Sequence, residues 1–143
     1  MELDEFYSEI LIEYSKDKTF QNPIENPNFT QKLLNPLCGD RIELSGLVED
    51  GILKKIFYKA DGCSISKASV AILCGLILGK PLDQINSIIA LYEKMITEGK
   101  LSQEAENTLQ DAQILKGVSK LPARQKCALI AWEGLKKAIV EME

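Results

Sequence analysis

The chain has 143 residues, 45% of them hydrophobic and 27% charged, which suits one domain (1–143) with a single core and excludes a disordered chain. Its net charge of −4 gives no broad attraction to nucleic acid or anionic membranes, and its longest apolar run, Ala68 to Leu78, is too short to span a bilayer. The opening MELDEFYSEI is acidic and has no basic stretch ahead of an apolar one, so it is not read as a signal peptide, and a cytoplasmic protein is expected.

Residues 3–16 set Leu3, Phe6, Tyr7, Ile10, Leu11 and Tyr14 at helical spacing with acids between them, which predicts an amphipathic helix. Residues 16–36 hold three prolines and four asparagines and read as loop with a short edge strand. Arg41–Val48 and Ile52–Lys59 flank Asp50-Gly51, a strong signal for a two-residue β-hairpin. Ile42, Leu44 and Val48 are expected on one face, paired with Phe57 and Leu53. Residues 64–79 are almost wholly apolar and predict a central, buried helix. Pro81 suits a first helical position, and Leu82, Ile85, Ile88, Ile89, Tyr92 and Met95 carry an amphipathic helix to Glu98, where Gly99 ends it. A polar helix is expected over 101–116 with a break at Gly117, and a last helix runs from Pro122 to Val140. The fold class is therefore α+β: a small antiparallel sheet, hairpin plus edge strand, packed against about five helices.

The chain has four cysteines and no histidine. In a cytoplasmic protein cysteines are more often thiols or metal ligands than disulfide partners. The absence of histidine rules out a Ser-His-Asp or Cys-His nucleophile within the chain, so any transition-metal site must use cysteine and carboxylate unless a partner contributes. With Asp50 and Gly51 as turn residues, Glu49 faces Ile52. Carried to the open end of the hairpin, that register sets Cys38 opposite Cys63 and Asp40 opposite Asp61. Cys63 stands where strand gives way to helix, and Cys127 stands in the first turns of the last helix; a helix N-terminus favours thiolate over thiol. Cys74, between Leu73 and Gly75, reads as a small buried hydrophobe. Three thiolates leave a tetrahedral site one ligand short, and Asp40 is the best fourth, because Gly39 permits the tight path that turns both Cys38 and Asp40 towards one point. Inert cysteines and a purely structural zinc site are rivals on this geometry alone.

Three motifs carry further: Asn35-Pro36-Leu37-Cys38-Gly39-Asp40; Gly62-Cys63-Ser64-Ile65-Ser66 followed by Ala68-Ser69; and Pro122-Ala123-Arg124-Gln125-Lys126-Cys127 followed by Ala131-Trp132. Together and in this order they resemble the U-type family of IscU, SufU and the N-terminal domain of NifU, over nearly the whole chain. Lys126 stands where IscU-type members have a histidine, and residues 97–118 fill the place of an insertion typical of SufU-type members, so the SufU branch is the nearer likeness. Ala60-Asp61 and Lys67 depart from the usual pattern beside the second cysteine; the four ligand types do not.

The resemblance implies a zinc site of Cys38, Asp40, Cys63 and Cys127. It also implies sulfur transfer, with Cys38 accepting persulfide sulfur from a SufS-type cysteine desulfurase whose histidine displaces it from zinc. Sulfur would then pass to downstream iron–sulfur assembly or acceptor proteins. Two alternatives stand beside this: a scaffold that assembles a transient [2Fe–2S] cluster, or holds iron, on the same residues, and a structural-zinc interaction module. Arg124 is read either as an aid to docking and thiolate charge or as a solvated structural side chain; Lys126 and Lys67 are read as solvated charges.

Overall fold

The structure, a computed structural model, describes residues 3–142, with side chains from residue 9 onward. In chain order it contains α1 (Leu3–Ser15), β1 (Phe29–Asn35), β2 (Asp40–Glu49), β3 (Ile52–Asp61), α2 (Ser64–Ile77), α3 (Leu82–Glu98), α4 (Gln103–Leu109), a 3₁₀ segment (Gln110–Lys120) and α5 (Pro122–Met142). The strands form an antiparallel sheet in the order β1-β2-β3. The α+β architecture and the five helices agree with the sequence reading. Leu3, Phe6 and Tyr7, expected on the apolar face of α1, lie outside the described side chains.

One face of the sheet packs on the helices. Gly134 in α5 lies so close to β1 that a Cβ there would overlap the Leu33 side chain, so the helix rests directly on the strand. Central in the core is α2, with Ala68, Val70, Leu73, Cys74 and Ile77 each at 0% exposure. Tyr92 of α3 stacks on Trp132 of α5, ring centroids 3.6 Å apart. The outer edge of β3 is not left bare: Tyr58 N–H donates to the Phe20 carbonyl at 3.0 Å, and Leu53 N–H donates to that of Lys80 at 3.1 Å. Both bonds shield a strand edge that would otherwise invite pairing with another chain.

The hairpin forms at Asp50-Gly51 with Glu49 opposite Ile52 as expected, but its register does not run on unbroken. A β-bulge lies between Leu47, paired with Lys55, and Val48, paired with Leu53. One extra residue on β3 slips everything beyond it by one position and exchanges the faces. Tyr58, not Phe57, therefore faces Leu44, and Arg41, not Asp40, faces Asp61. That correction governs the site, because it aligns Asp40 with Gly62 instead of with a second carboxylate.

The polar helix expected over 101–116 is shorter and changes type. It ends at Leu109, Gln110 turns with φ 47°, and a 3₁₀ segment continues through Gly117 to Lys120. The buried residues explain the change: Leu109, Ala112, Leu115 and Val118 recur every third position, the period of a 3₁₀ helix.

Candidate metal centre

The site lies at the end of the sheet remote from the Asp50-Gly51 turn, where the β1–β2 turn, the β3–α2 junction and the start of α5 meet. Asn35 and Asp40 pair across the β1–β2 turn, which Gly39 closes at φ 71° by donating its N–H to the Asn35 carbonyl at 2.8 Å. A positive φ of this kind favours glycine, so Gly39 is what lets Cys38 project from the turn beside Asp40. Asp40 points to the helix face of the sheet and is fully buried. Opposite it Gly62 has no side chain, and a Cβ there would overlap Asp40 Oδ1 and come within 3.0 Å of Asp40 Cα. The bulge and Gly62 together open the space that the carboxylate fills.

The carboxylate is held by a ring of donors. Oδ1 accepts from Cys63 N–H and from the Ser66 hydroxyl, each at 3.0 Å, and Oδ2 accepts from Asn35 Nδ2 at 3.2 Å. Burial works to raise the Asp40 pKa, but the Cys63 N–H, the Cys127 thiol, the Ser66 hydroxyl and the Asn35 amide outweigh it. The group titrates below the ordinary carboxylate range and is ionised.

Cys127 is fully buried in the second turn of α5, and its thiol donates to Cys38 Sγ at 3.1 Å. Its sulfur in turn accepts from Asn35 Nδ2 at 3.5 Å. Burial first, then contact with Cys38, Asp40 and Cys63, drives the Cys127 pKa strongly upward. Cys38 is half-buried. Cys63 is the N-cap of α2, where its sulfur accepts the Ser66 N–H at 3.4 Å. The positive end of the helix dipole therefore faces this sulfur. Arg124 lies within electrostatic reach of all three sulfurs. Cys63 is the main influence raising its pKa, burial opposes it, and Cys127 and Cys38 add to the rise. Its Nε is buried without a hydrogen-bond partner among the described residues.

Cys38, Asp40 and Cys127 thus offer donor atoms within 4.8 Å of one another. Cys63, the fourth expected ligand, borders this group through its backbone N–H on Asp40, while its sulfur rests on the helix terminus. Cys74 is fully buried in α2 and takes no part; burial pushes its thiol pKa upward. Lys126 is exposed and Lys67 half-buried. The donor set fits a thiophilic divalent cation. Two sulfurs and an ionised carboxylate packed this closely repel one another once deprotonated, which adds to burial in making Cys127 hold its proton, and a cation relieves that repulsion. Asn35 and Ser66, buried and bonded to the carboxylate, were given no role in the sequence reading. Their signal is that both lie within the cysteine motifs as polar residues that end up at 0% and 1% exposure.

The model of the NifU-like N terminal domain matches residues 6–128. The chain belongs to this family. Family members include the iron–sulfur cluster assembly scaffold protein IscU of Thermotoga maritima, 33% identical over 133 residues, or 93% of this chain and 92% of the relative. The zinc-dependent sulfurtransferase SufU of Bacillus subtilis is 32% identical over 141 residues, or 99% of this chain and 94% of the relative. Among solved structures, a putative iron–sulfur cluster assembly scaffold protein for the SUF system from Fervidobacterium islandicum superposes with a TM-score of 0.86 at 29% identity, covering 96% of this chain and 99% of that one. A NifU-like N-terminal protein from Brucella abortus shares the fold with a TM-score of 0.86 at 16% identity, over 98% and 96% of the two chains. The NifU-like chain is therefore a member of an iron–sulfur cluster assembly family. Among its described residues no helix is long and apolar enough to cross a membrane.

Proposed function

We propose that this chain is a zinc-dependent sulfur acceptor in iron–sulfur cluster assembly, with Cys38, Asp40, Cys63 and Cys127 as metal ligands and Cys38 as the group that takes up sulfur. The observation that carries the reading is the convergence of Cys38, Asp40 and Cys127 within 4.8 Å at one end of the sheet, with Cys38 the more accessible of the two thiols. The name of the Bacillus subtilis relative, a zinc-dependent sulfurtransferase, supports the choice of metal and chemistry. Held by these four residues, zinc would keep the thiols deprotonated yet unreactive, and a histidine from the partner would free Cys38.

The partner is a SufS-type cysteine desulfurase carrying a persulfide on its own cysteine. Cys38 thiolate attacks the outer sulfur; the new bond to Cys38 forms as the partner's S–S bond breaks, and the partner's thiolate leaves. Asp40, fixed by its donors, and Cys127, fixed in α5, keep their positions while the β1–β2 turn presents Cys38. Downstream iron–sulfur assembly or acceptor proteins receive the sulfur. The names of two relatives as IscU scaffolds favour a second reading, in which the same residues build a transient [2Fe–2S] cluster.

Desulfurase turnover with and without the chain, alongside metal analysis of the same sample, separates these readings. The expected outcome is about one zinc per chain, little colour and stimulated turnover. Cys38→Ser abolishes that stimulation. A brown protein with equal iron and acid-labile sulfide favours the scaffold, and a colourless zinc protein that leaves turnover unchanged favours a structural-zinc module.

A further inference from the structure

Cys127 has a place in the site that metal binding alone does not require. It is fully buried, it lies 3.1 Å from Cys38 Sγ, and Asn35 Nδ2 holds it there from the protein interior. Cys38 is half-buried, so a sulfur arriving from a partner comes from the solvent side. Attack on a persulfide proceeds in line with the bond that breaks. A nucleophile behind Cys38 Sγ is therefore on the side opposite the newly added outer sulfur. Cys127, fully buried and 3.1 Å from Cys38 Sγ, is on the interior side from which such an attack would come. Cys74 is sequestered in α2, and the Cys63 sulfur is engaged by the Ser66 N–H.

We infer that in the metal-free protein Cys127 is the resolving thiol, converting a persulfide on Cys38 into free sulfide and a Cys38–Cys127 disulfide. The inference rests on the proposal that Cys38 takes up sulfur. Cys127 Sγ attacks Cys38 Sγ, the new Sγ–Sγ bond forms, and the bond from Cys38 Sγ to the outer sulfur breaks. Cys127 gives up its thiol proton to solvent as it attacks, and the outer sulfur leaves on the opposite side with the bonding electron pair and takes a proton from solvent, so a persulfide and a thiol become a disulfide and hydrogen sulfide. Hydrosulfide is the better leaving group than an alkyl thiolate because its conjugate acid is the stronger acid. No outside electrons are needed for this step. Two electrons from a dithiol return the disulfide to two thiols for the next round. The outcome is inorganic sulfide, the form in which a cluster takes up sulfur, released at a site whose two cysteine ligands the dithiol then restores.

The test uses the full chain stripped of metal with a chelator and loaded with sulfane sulfur in two ways, by a cysteine desulfurase with cysteine and by inorganic tetrasulfide. Intact mass and sulfide release are followed over time after the sulfur donor, cysteine included, has been removed and with no thiol added. In the wild type, the mass gain of one sulfur on Cys38 is expected to give way to a loss of two hydrogens, with one sulfide released per disulfide formed. Peptide mapping then links Cys38 to Cys127. Cys127→Ser is expected to keep the added sulfur more than about tenfold longer, whereas Cys74→Ser behaves as wild type. A wild-type persulfide as long-lived as that of Cys127→Ser, or a link from Cys38 to Cys63, overturns the inference. The wild-type map stands even if Cys127→Ser does not fold. If tetrasulfide marks Cys38 and the desulfurase does not, the sulfur-acceptor reading fails alone, and the tetrasulfide arm still decides the resolving step. A Cys38 that neither donor marks overturns both.

Discussion

Two buried polar clusters in this molecule have opposite characters. Deep in the core, the Ser69 hydroxyl donates to the Ala128 carbonyl at 2.6 Å and the Tyr92 hydroxyl to the same carbonyl at 2.7 Å. Trp132 Nε1 donates to Ser69 Oγ at 2.9 Å. Every member is neutral, and each donor has its acceptor. At the sheet end, Asp40 is as deeply buried but ionised, and its neighbours include two thiols, one of them forced to retain its proton. The first cluster closes upon itself and joins α2, α3 and α5. The second crowds an ionised carboxylate against two thiols, an arrangement that a bound cation would stabilise. Burial of polar groups is common to both, so burial does not mark a binding site; an ionised group packed among thiols does.

Breaking the second cluster has the largest expected effect. Asp40→Ala removes the carboxylate and leaves its ring of donors unpaired. Zinc affinity, measured by competition with a chromophoric chelator, is expected to fall by at least about a hundredfold, since a ligand is lost as well as its surroundings. Unchanged affinity and unchanged sulfur transfer would remove Asp40 from the ligand set. Breaking the first cluster tests the contrast from the other side. Ser69→Ala leaves Trp132 Nε1 without its acceptor, and an unfolding titration should register a loss of about 1–3 kcal/mol. Zinc stoichiometry should remain that of the wild type. If zinc were lost while stability held, the core cluster would belong to the site after all.

How far these two clusters can be read from sequence differs for a physical reason. Cys38, Asp40, Cys63 and Cys127 are chemically marked residues at element ends and were expected to converge; the structure brings the donor atoms of Cys38, Asp40 and Cys127 together. The hairpin, the buried helix and the burial of Cys74 were expected as well. The route to Asp40 was not. A turn signal fixes where a hairpin reverses, but one inserted residue between Leu53 and Lys55 leaves no mark in composition, yet it moves Asp40 from Asp61 to Gly62. The 3₁₀ segment was legible in principle, because its apolar residues repeat every third position. An expectation of helix over a polar stretch overlooked that period. Asn35 and Ser66 were visible only as polar letters within motifs, since which donors surround a carboxylate is settled by tertiary packing.

Cys74 sharpens the comparison among thiols. It is fully buried amid apolar neighbours, with no charged partner near enough to make it a ligand, and burial pushes its pKa upward. Cys74→Ser places a hydroxyl among apolar side chains in the centre of the core. A stability loss of about 1–2 kcal/mol is expected in a denaturant titration, with sulfur acceptance intact. Loss of transfer in Cys74→Ser with retention in Cys38→Ser would reverse the assignment of the two thiols.

The smallest effect concerns a hydrogen bond far from the site, where α1 meets the 3₁₀ segment. There the Tyr14 hydroxyl donates to Asp111. Burial, the Asp111 hydrogen bond and nearby acids together raise the Tyr14 pKa to about 12 from its ordinary 10.0. The folded state therefore holds this proton more tightly than the unfolded chain. Its contribution is complete below pH 10, declines as pH rises from there and is gone above about 12. Tyr14→Phe should cost about 0.5–1.5 kcal/mol at neutral pH, as for an ordinary intramolecular hydrogen bond. Across the alkaline window the variant should lose less stability than the wild type, so the two unfolding curves converge as pH rises. Parallel curves would mean that Tyr14 ionises alike in the folded and unfolded chains, and that α1 is held to the 3₁₀ segment by apolar packing alone.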